Sequence, residues 1–213
     1  MIRDLLIMDN FTIIILVNLF LILTSKLVDL SKFNSFLYIY INNSFLRYNN
    51  SENNFFNGFN LLLTTNFLLS ISLYITIISS YINEIEYFNF KYFIKIFVIL
   101  SIFYFFKFII EHLLGWAFNI RRFIKSFNFQ KNSFNKYLGI ILVLINSLLI
   151  YSYSSSLIAI NISLFLIVLL YLSGLFKIVT LNDNLIYPNL FYFILYLCTL
   201  EIIPILYLIQ ELV

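Results

Sequence analysis

Reactive and metal-binding side chains are scarce in this chain. It has one cysteine (Cys198), one histidine (His112) and one tryptophan (Trp116). A single thiol excludes an intrachain disulfide and any multi-cysteine redox or metal centre. One imidazole far from that thiol excludes a histidine-rich metal or haem site. No cofactor or metal is therefore expected, and no residue is assigned a catalytic role. Only four glycines are present, too few and too scattered for a glycine-rich phosphate loop. The two prolines and the absence of any Gly/Pro-rich linker leave no place for the chain to divide, so residues 1–213 read as one polytopic membrane domain. Charge is short as well: 11% of residues are charged and 62% hydrophobic, where soluble domains carry about 25% charge. A soluble fold of this size leaves roughly 30% of its surface in water, more than these residues can supply in polar form. Lipid must provide the cover. The net charge of +3 is too small to point to nucleic acid, so the partner demanded by composition is the bilayer.

What is abundant is Phe, Tyr, Ile, Leu and Asn. These residues have AT-rich codons, whereas the scarce Gly, Pro and Ala have GC-rich ones, as in a reduced symbiont-like bacterial genome or an organelle genome. The bias weakens any argument from Asn or Tyr content alone.

About 20 apolar residues carry a helix across the hydrocarbon layer. Runs at 11–24, 59–82, 93–118, 137–153, 157–176 and 187–209 meet or approach that length. They lack the alternation of barrel strands. The expected fold is therefore an all-α integral membrane bundle of about six transmembrane helices. The first run is short, and whether it crosses fully is open. It follows a short basic start without a small-x-small cleavage site, so an uncleaved helix is expected. Between helices one and two, SKFNSFLYIYINNSFLRYNNSENNFFNG suits either a helix lying in the interface or an ordinary polar loop.

Lys and Arg cluster after helices one, three and five: Lys26, Lys32 and Arg47, then Arg121, Arg122, Lys125, Lys131 and Lys136, then Lys177. The opposite side has Arg3, Lys91 and Lys95. The positive-inside rule places the first set in the cytoplasm, or its organellar equivalent.

The stretch KFIIEHLLGWAFNIRR (107–122) interrupts this pattern. Trp116 with Arg121 and Arg122 marks the inner interface, where Trp anchors. Counting back at 1.5 Å per residue puts Lys107 about 13 Å deeper and Glu111 about 7 Å in. The two lie four apart, on one helical face. A charge at helix centre costs about 2.5–3.5 kcal/mol on insertion scales, so it turns inward and takes a partner. In the last helix, Glu201 precedes Pro204, which removes a backbone hydrogen bond and kinks the helix. Lys107, Glu111 and Glu201 form a candidate intramembrane network, either a structural lock between helices or a proton or substrate site. His112 points about a quarter turn away from Glu111 and reads as a hydrogen-bonded or solvated residue. The basic run NIRRFIKSFNFQKNSFNKY reads as a cytoplasmic loop drawn to anionic headgroups.

Two stretches, FIIEHLLGWAFNIRRFIKSFNFQKNSFNKYLGIILVLIN (108–146) and LFYFILYLCTLEIIPILYLI (190–209), resemble an uncharacterised family of small polytopic inner-membrane proteins of Bacteroidetes, domain of unknown function 4271. GFNLLL opening helix two fits the same order. The resemblance covers the chain from about Asn57, and LYLC-x-LEI-x-P is its most specific part. It implies a multi-pass protein of the bacterial inner membrane, with an organellar inner membrane as the alternative. It matches Glu201 and Pro204 and implies no activity, so no catalytic residue transfers. The expected role is a structural, assembly or accessory component of an envelope complex whose partner is unidentified, rather than an enzyme. A small proton-coupled transporter using the Lys/Glu network is the alternative. A lipid-acting membrane enzyme ranks third, because the usual intramembrane catalytic pairs are absent.

Overall fold

The computed structural model describes residues 2–42, 45–46, 57–82, 90–117, 121–151 and 157–181. These residues form an all-helical structure: α1 (Ile2–Val28), α2 (Leu30–Leu37), α3 (Gly58–Ile82), α4 (Phe90–Ala117), α5 (Arg121–Tyr151) and α6 (Leu157–Leu181). Five of the six are long and apolar enough to cross a bilayer, over Asn10–Val28, Gly58–Tyr81, Phe90–Leu113, Lys125–Tyr151 and Leu157–Leu181. The last apolar run of the sequence, 187–209, lies outside the described residues.

The first helix is longer than its apolar run. Asn10–Val28 supplies 19 residues of suitable hydropathy, which at 1.5 Å per residue is about 28 Å and close to the hydrocarbon thickness. The flanking polar positions are helical as well. Polar positions inside the run are helical too: the Asn18 amide donates to the Ile14 carbonyl at 3.0 Å, and Thr24 and Ser25 donate to the Leu21 and Ile22 carbonyls. Back-bonding of this kind lets short polar side chains sit in an apolar helix.

α3 and α5 are the hub. Half of the α5 span and 44% of the α3 span are buried, against 17–22% for the other three, so most of α1, α4 and α6 is left open to lipid or to other protein. α1 packs on α3 and α5, α4 on the same two, and α6 on α5. The hub helices run close because Gly139 faces α3: a Cβ there would stand 2.8 Å from the Cα of Phe67. Small residues at such crossings let backbones approach and gain dispersion contacts that lipid cannot replace. Gly174 of α6 does the same against the Phe134 ring, at 3.1 Å.

The chain breaks at Asp29. Its extended backbone ends α1, and its carboxylate caps α2 by accepting from the Lys32 amide at 2.9 Å and the Ser31 hydroxyl at 2.8 Å. α2 then buries Phe33 and Phe36 in a cluster with Phe45, Phe59, Phe127, Phe129, Phe134 and Ile178. Phe36 meets Phe45, Phe59 and Tyr137 edge-on, with centroids 5.4–6.1 Å apart, the arrangement ring quadrupoles favour. The apolar face of α2 is thus covered by protein.

The run expected to be a cytoplasmic loop after Arg121 is helical. α5 begins at Arg121 and continues without a break to Tyr151. Nothing between those residues breaks a helix, since the sole glycine, Gly139, is tolerated at the crossing and no proline occurs. Hydropathy assigns Lys, Asn and Gln to water; here Asn128, Gln130, Lys131 and Lys136 are buried by the surrounding chain.

Candidate functional site

Ser126, Phe127, Asn128, Phe129, Gln130 and Lys131 are consecutive, so they point all round the helix, yet all six are buried. Most lone charges at such a position would be costly, and ion pairing or strong hydrogen bonding is the physical remedy. The Lys131 ammonium lies 3.7 Å from the Glu111 carboxylate of α4, with both side chains under a tenth exposed. Lys136, one and a half turns further along, donates to the Asn60 carboxamide oxygen of α3 at 2.9 Å and is itself buried. Between them, Asn132 accepts from the Tyr104 hydroxyl of α4 at 3.0 Å.

A third lysine closes the same end of the bundle. Past α2 the chain makes a turn over residues 38–41, in which the Tyr38 carbonyl accepts from the Ile41 and Asn42 amides. The Lys177 ammonium of α6 donates to the Ile39 and Tyr40 carbonyls, each at 2.9 Å. Tyr40 in turn donates to the Leu170 carbonyl at 2.9 Å and packs its ring against Phe134 and Tyr137. Burial pushes the Tyr40 hydroxyl above its ordinary range, so it is a lasting donor rather than an acid. Lys177 thus serves two carbonyls of the turn, and the Tyr40 hydroxyl anchors the turn to α6.

Glu111, expected near Lys107, is buried and reaches Lys131, a cation that sequence reasoning left in a loop. Lys107 is half-buried one turn earlier on α4. Gly115, one turn on from Glu111, is buried too, so α4 presents this face to protein. Trp116 sits in the last turn of α4, 67% exposed, and His112 is exposed with its ring stacked along Phe108. Arg121 and Arg122 open α5; their side chains lie outside the described residues, as do Glu201 and Pro204 entirely.

Sequence reasoning missed the roles of Lys131, Lys136, Asn60 and Lys177. Lys131, Phe134 and Leu138 recur at helical spacing, a signal available in the sequence but hidden by the polar residues between them. It also discounted the asparagines. Asn18, Asn66 and Asn146 are each at most 1% exposed, one on each of α1, α3 and α5. Asn146 donates to the Ser70 carbonyl at 2.9 Å. Ser70 donates to the Asn66 carbonyl at 2.7 Å, with the Asn18 carboxamide oxygen 3.4 Å away. Tyr74 and Ser163 join α3 to α6 at 2.9 Å. Among the described residues, no group of three or more His, Cys, Asp or Glu side chains is placed to hold a metal.

The arrangement is a layer of buried and half-buried cations at one end of the bundle and a carboxamide junction further in. Compared with known proteins, the family described as Domain of unknown function (DUF4271) matches residues 11–212. No curated protein and no solved structure matches the chain.

Proposed function

The chain belongs to that family, and from this together with the way its buried charges are engaged we propose that it is a structural or assembly component of an envelope complex. One observation carries the reading. Each charge of the layer, Lys177 being half-buried and the others buried, holds one element of the chain to another: Glu111 and Lys131 tie α4 to α5, Lys136 ties α5 to α3, and Lys177 ties α6 to the turn after α2. Charges used in this way act as struts that set which helices meet. A rigid bundle with most of three helices left open to lipid or to other protein suits a scaffold onto which other membrane proteins pack.

The bacterial inner membrane is the proposed location, with the lysine-rich end cytoplasmic, because short basic segments are retained on that side. The family resemblance supports a Bacteroidetes lineage. An organellar inner membrane is the alternative setting.

The test is a crosslink-stabilised purification of the tagged protein from its native membrane, comparing wild type with Glu111→Gln. The scaffold reading expects a defined envelope complex at fixed stoichiometry from wild type and its loss from the variant. Recovery of the protein alone, equally folded in both forms, would refute it. A proton-coupled transport reading has one observation in its favour: buried Lys136 donates to a neutral carboxamide, that of Asn60. It expects proton flux in proteoliposomes that Lys136→Met abolishes.

A further inference from the structure

Asn66 is fully buried in α3, and neither its Nδ2 nor its Oδ1 bonds any protein group; Asn146 Oδ1 is likewise unbonded. Asn18 Oδ1 has only the 3.4 Å approach of Ser70, whose one hydroxyl proton is already directed at the Asn66 carbonyl 2.7 Å away. Three carboxamides from three helices therefore present one unserved donor and three poorly served acceptors around one turn of α3.

Their depth makes this costly. Ser70 lies 12 residues from one end of the Gly58–Tyr81 span and 11 from the other, and Asn18 lies 8 and 10 residues from the ends of Asn10–Val28. Both are at mid-bilayer, where bulk water does not reach and each unsatisfied group is penalised. Buried polar groups in native proteins are nearly always partnered, and internal water is the usual partner when protein supplies none.

We propose that α1, α3 and α5 enclose an internal water site at Asn66, which extends toward Asn18 and Asn146. Water fits the mismatch because it donates twice and also accepts, so it serves Asn66 Nδ2 together with the carboxamide oxygens. A metal cation serves oxygens only. It would leave Asn66 Nδ2 stranded and bring a positive charge to mid-bilayer, where the spans of α1, α3 and α5 carry no carboxylate, an uncompensated cost. The site is also flanked by polar groups along α3. Asn60, bonded to Lys136, is six residues before Asn66, about 9 Å along the axis, and Ser70 is one turn after it, about 6 Å.

The experiment is proton-detected solid-state NMR on the full chain in lipid bilayers with asparagine 15N-labelled, measuring magnetisation transfer from water to side-chain amides. Asn66→Leu assigns the Asn66 signal by its loss, and Asn66→Ser serves if the leucine variant does not fold. The expected result is transfer to the Asn66 amide on the order of that seen at exposed Asn42. Absence of transfer to Asn66 at mixing times that light up Asn42 would overturn the proposal, because the junction would then be dry. So would a saturable shift of the Asn66 signal when choline chloride is exchanged for sodium or potassium chloride, which would make the ligand a cation.

Discussion

Replacing Lys131 with methionine keeps the length of the side chain and removes the ammonium 3.7 Å from Glu111. The carboxylate then remains in a site that is 5% exposed. With an effective dielectric constant of about 20, the attraction lost at that distance is about 4.5 kcal/mol. Stranding one partner of a buried pair costs about 3–5 kcal/mol in measured cases, and the near-complete burial of both side chains means that solvent screening does not discount this one. For a chain of this length about 2–4 °C of melting temperature goes with each kcal/mol, so Lys131→Met should lower Tm by roughly 6–20 °C. Changing Glu111 to methionine as well removes the buried carboxylate, and the double variant should melt within about 1 kcal/mol of wild type, because buried ion pairs can be replaced by apolar groups at little cost. The two single changes and the double form a cycle that isolates the coupling. Melting in lipid nanodiscs can be followed by the fluorescence of Trp116, five residues after Glu111 on the same helix, with far-ultraviolet circular dichroism as the global probe. If Lys131→Met is nearly silent, or the double variant is worse than either single one, the pair does not hold α4 to α5 and the strut argument fails.

Three further outcomes follow from named contacts. Gly139→Ala should cost about 1–3 kcal/mol by overpacking, because the new Cβ meets the backbone of Phe67; Gly174→Ala meets only the Phe134 ring, which can give, and should cost less, both read as Tm. Lys177→Met should speed hydrogen exchange over residues 38–42, since the turn loses the donor to the Ile39 and Tyr40 carbonyls; unchanged protection would show that the turn is held by its rings alone. Asp29→Ala should remove an N-cap worth about 1 kcal/mol. The Lys32 backbone amide foremost, with the Ser31 hydroxyl and the Lys32 charge, holds the Asp29 carboxyl below its usual range despite some desolvation. Its charge-dependent contribution is therefore fully present above about pH 4, the ordinary carboxylate value, and is lost as pH falls through the lowered value in the folded state. The Tm gap between wild type and Asp29→Ala should stay constant at neutral pH and shrink in acid, while Asp29→Asn keeps a cap without that dependence.

Composition and run length by themselves determined the solvent and the class of this protein. With 62% hydrophobic residues and runs such as GFNLLLTTNFLLSISLYITIISSYI, a helix that bonds its own backbone is the one stable state in lipid. That is a local property, readable residue by residue. Glu111 was likewise legible as a group that must be buried and partnered, because a charge in an apolar run has few other options. Its contact with Lys131 was not legible. Lys131 is 20 positions away on another helix, in a stretch whose hydropathy resembles a loop, and only the packing of α4, α3 and α6 around α5 takes that stretch out of water. The carboxamide junction escaped for a related reason. Asn is common throughout the chain, and nothing local separates Asn18, Asn66 and Asn146 from their exposed counterparts. Local pattern sets whether a segment is helical and whether it enters lipid. Which polar groups meet inside is decided by the crossings of helices far apart in sequence, and at the α3–α5 crossing that meeting depends on a glycine too small to keep the two backbones apart.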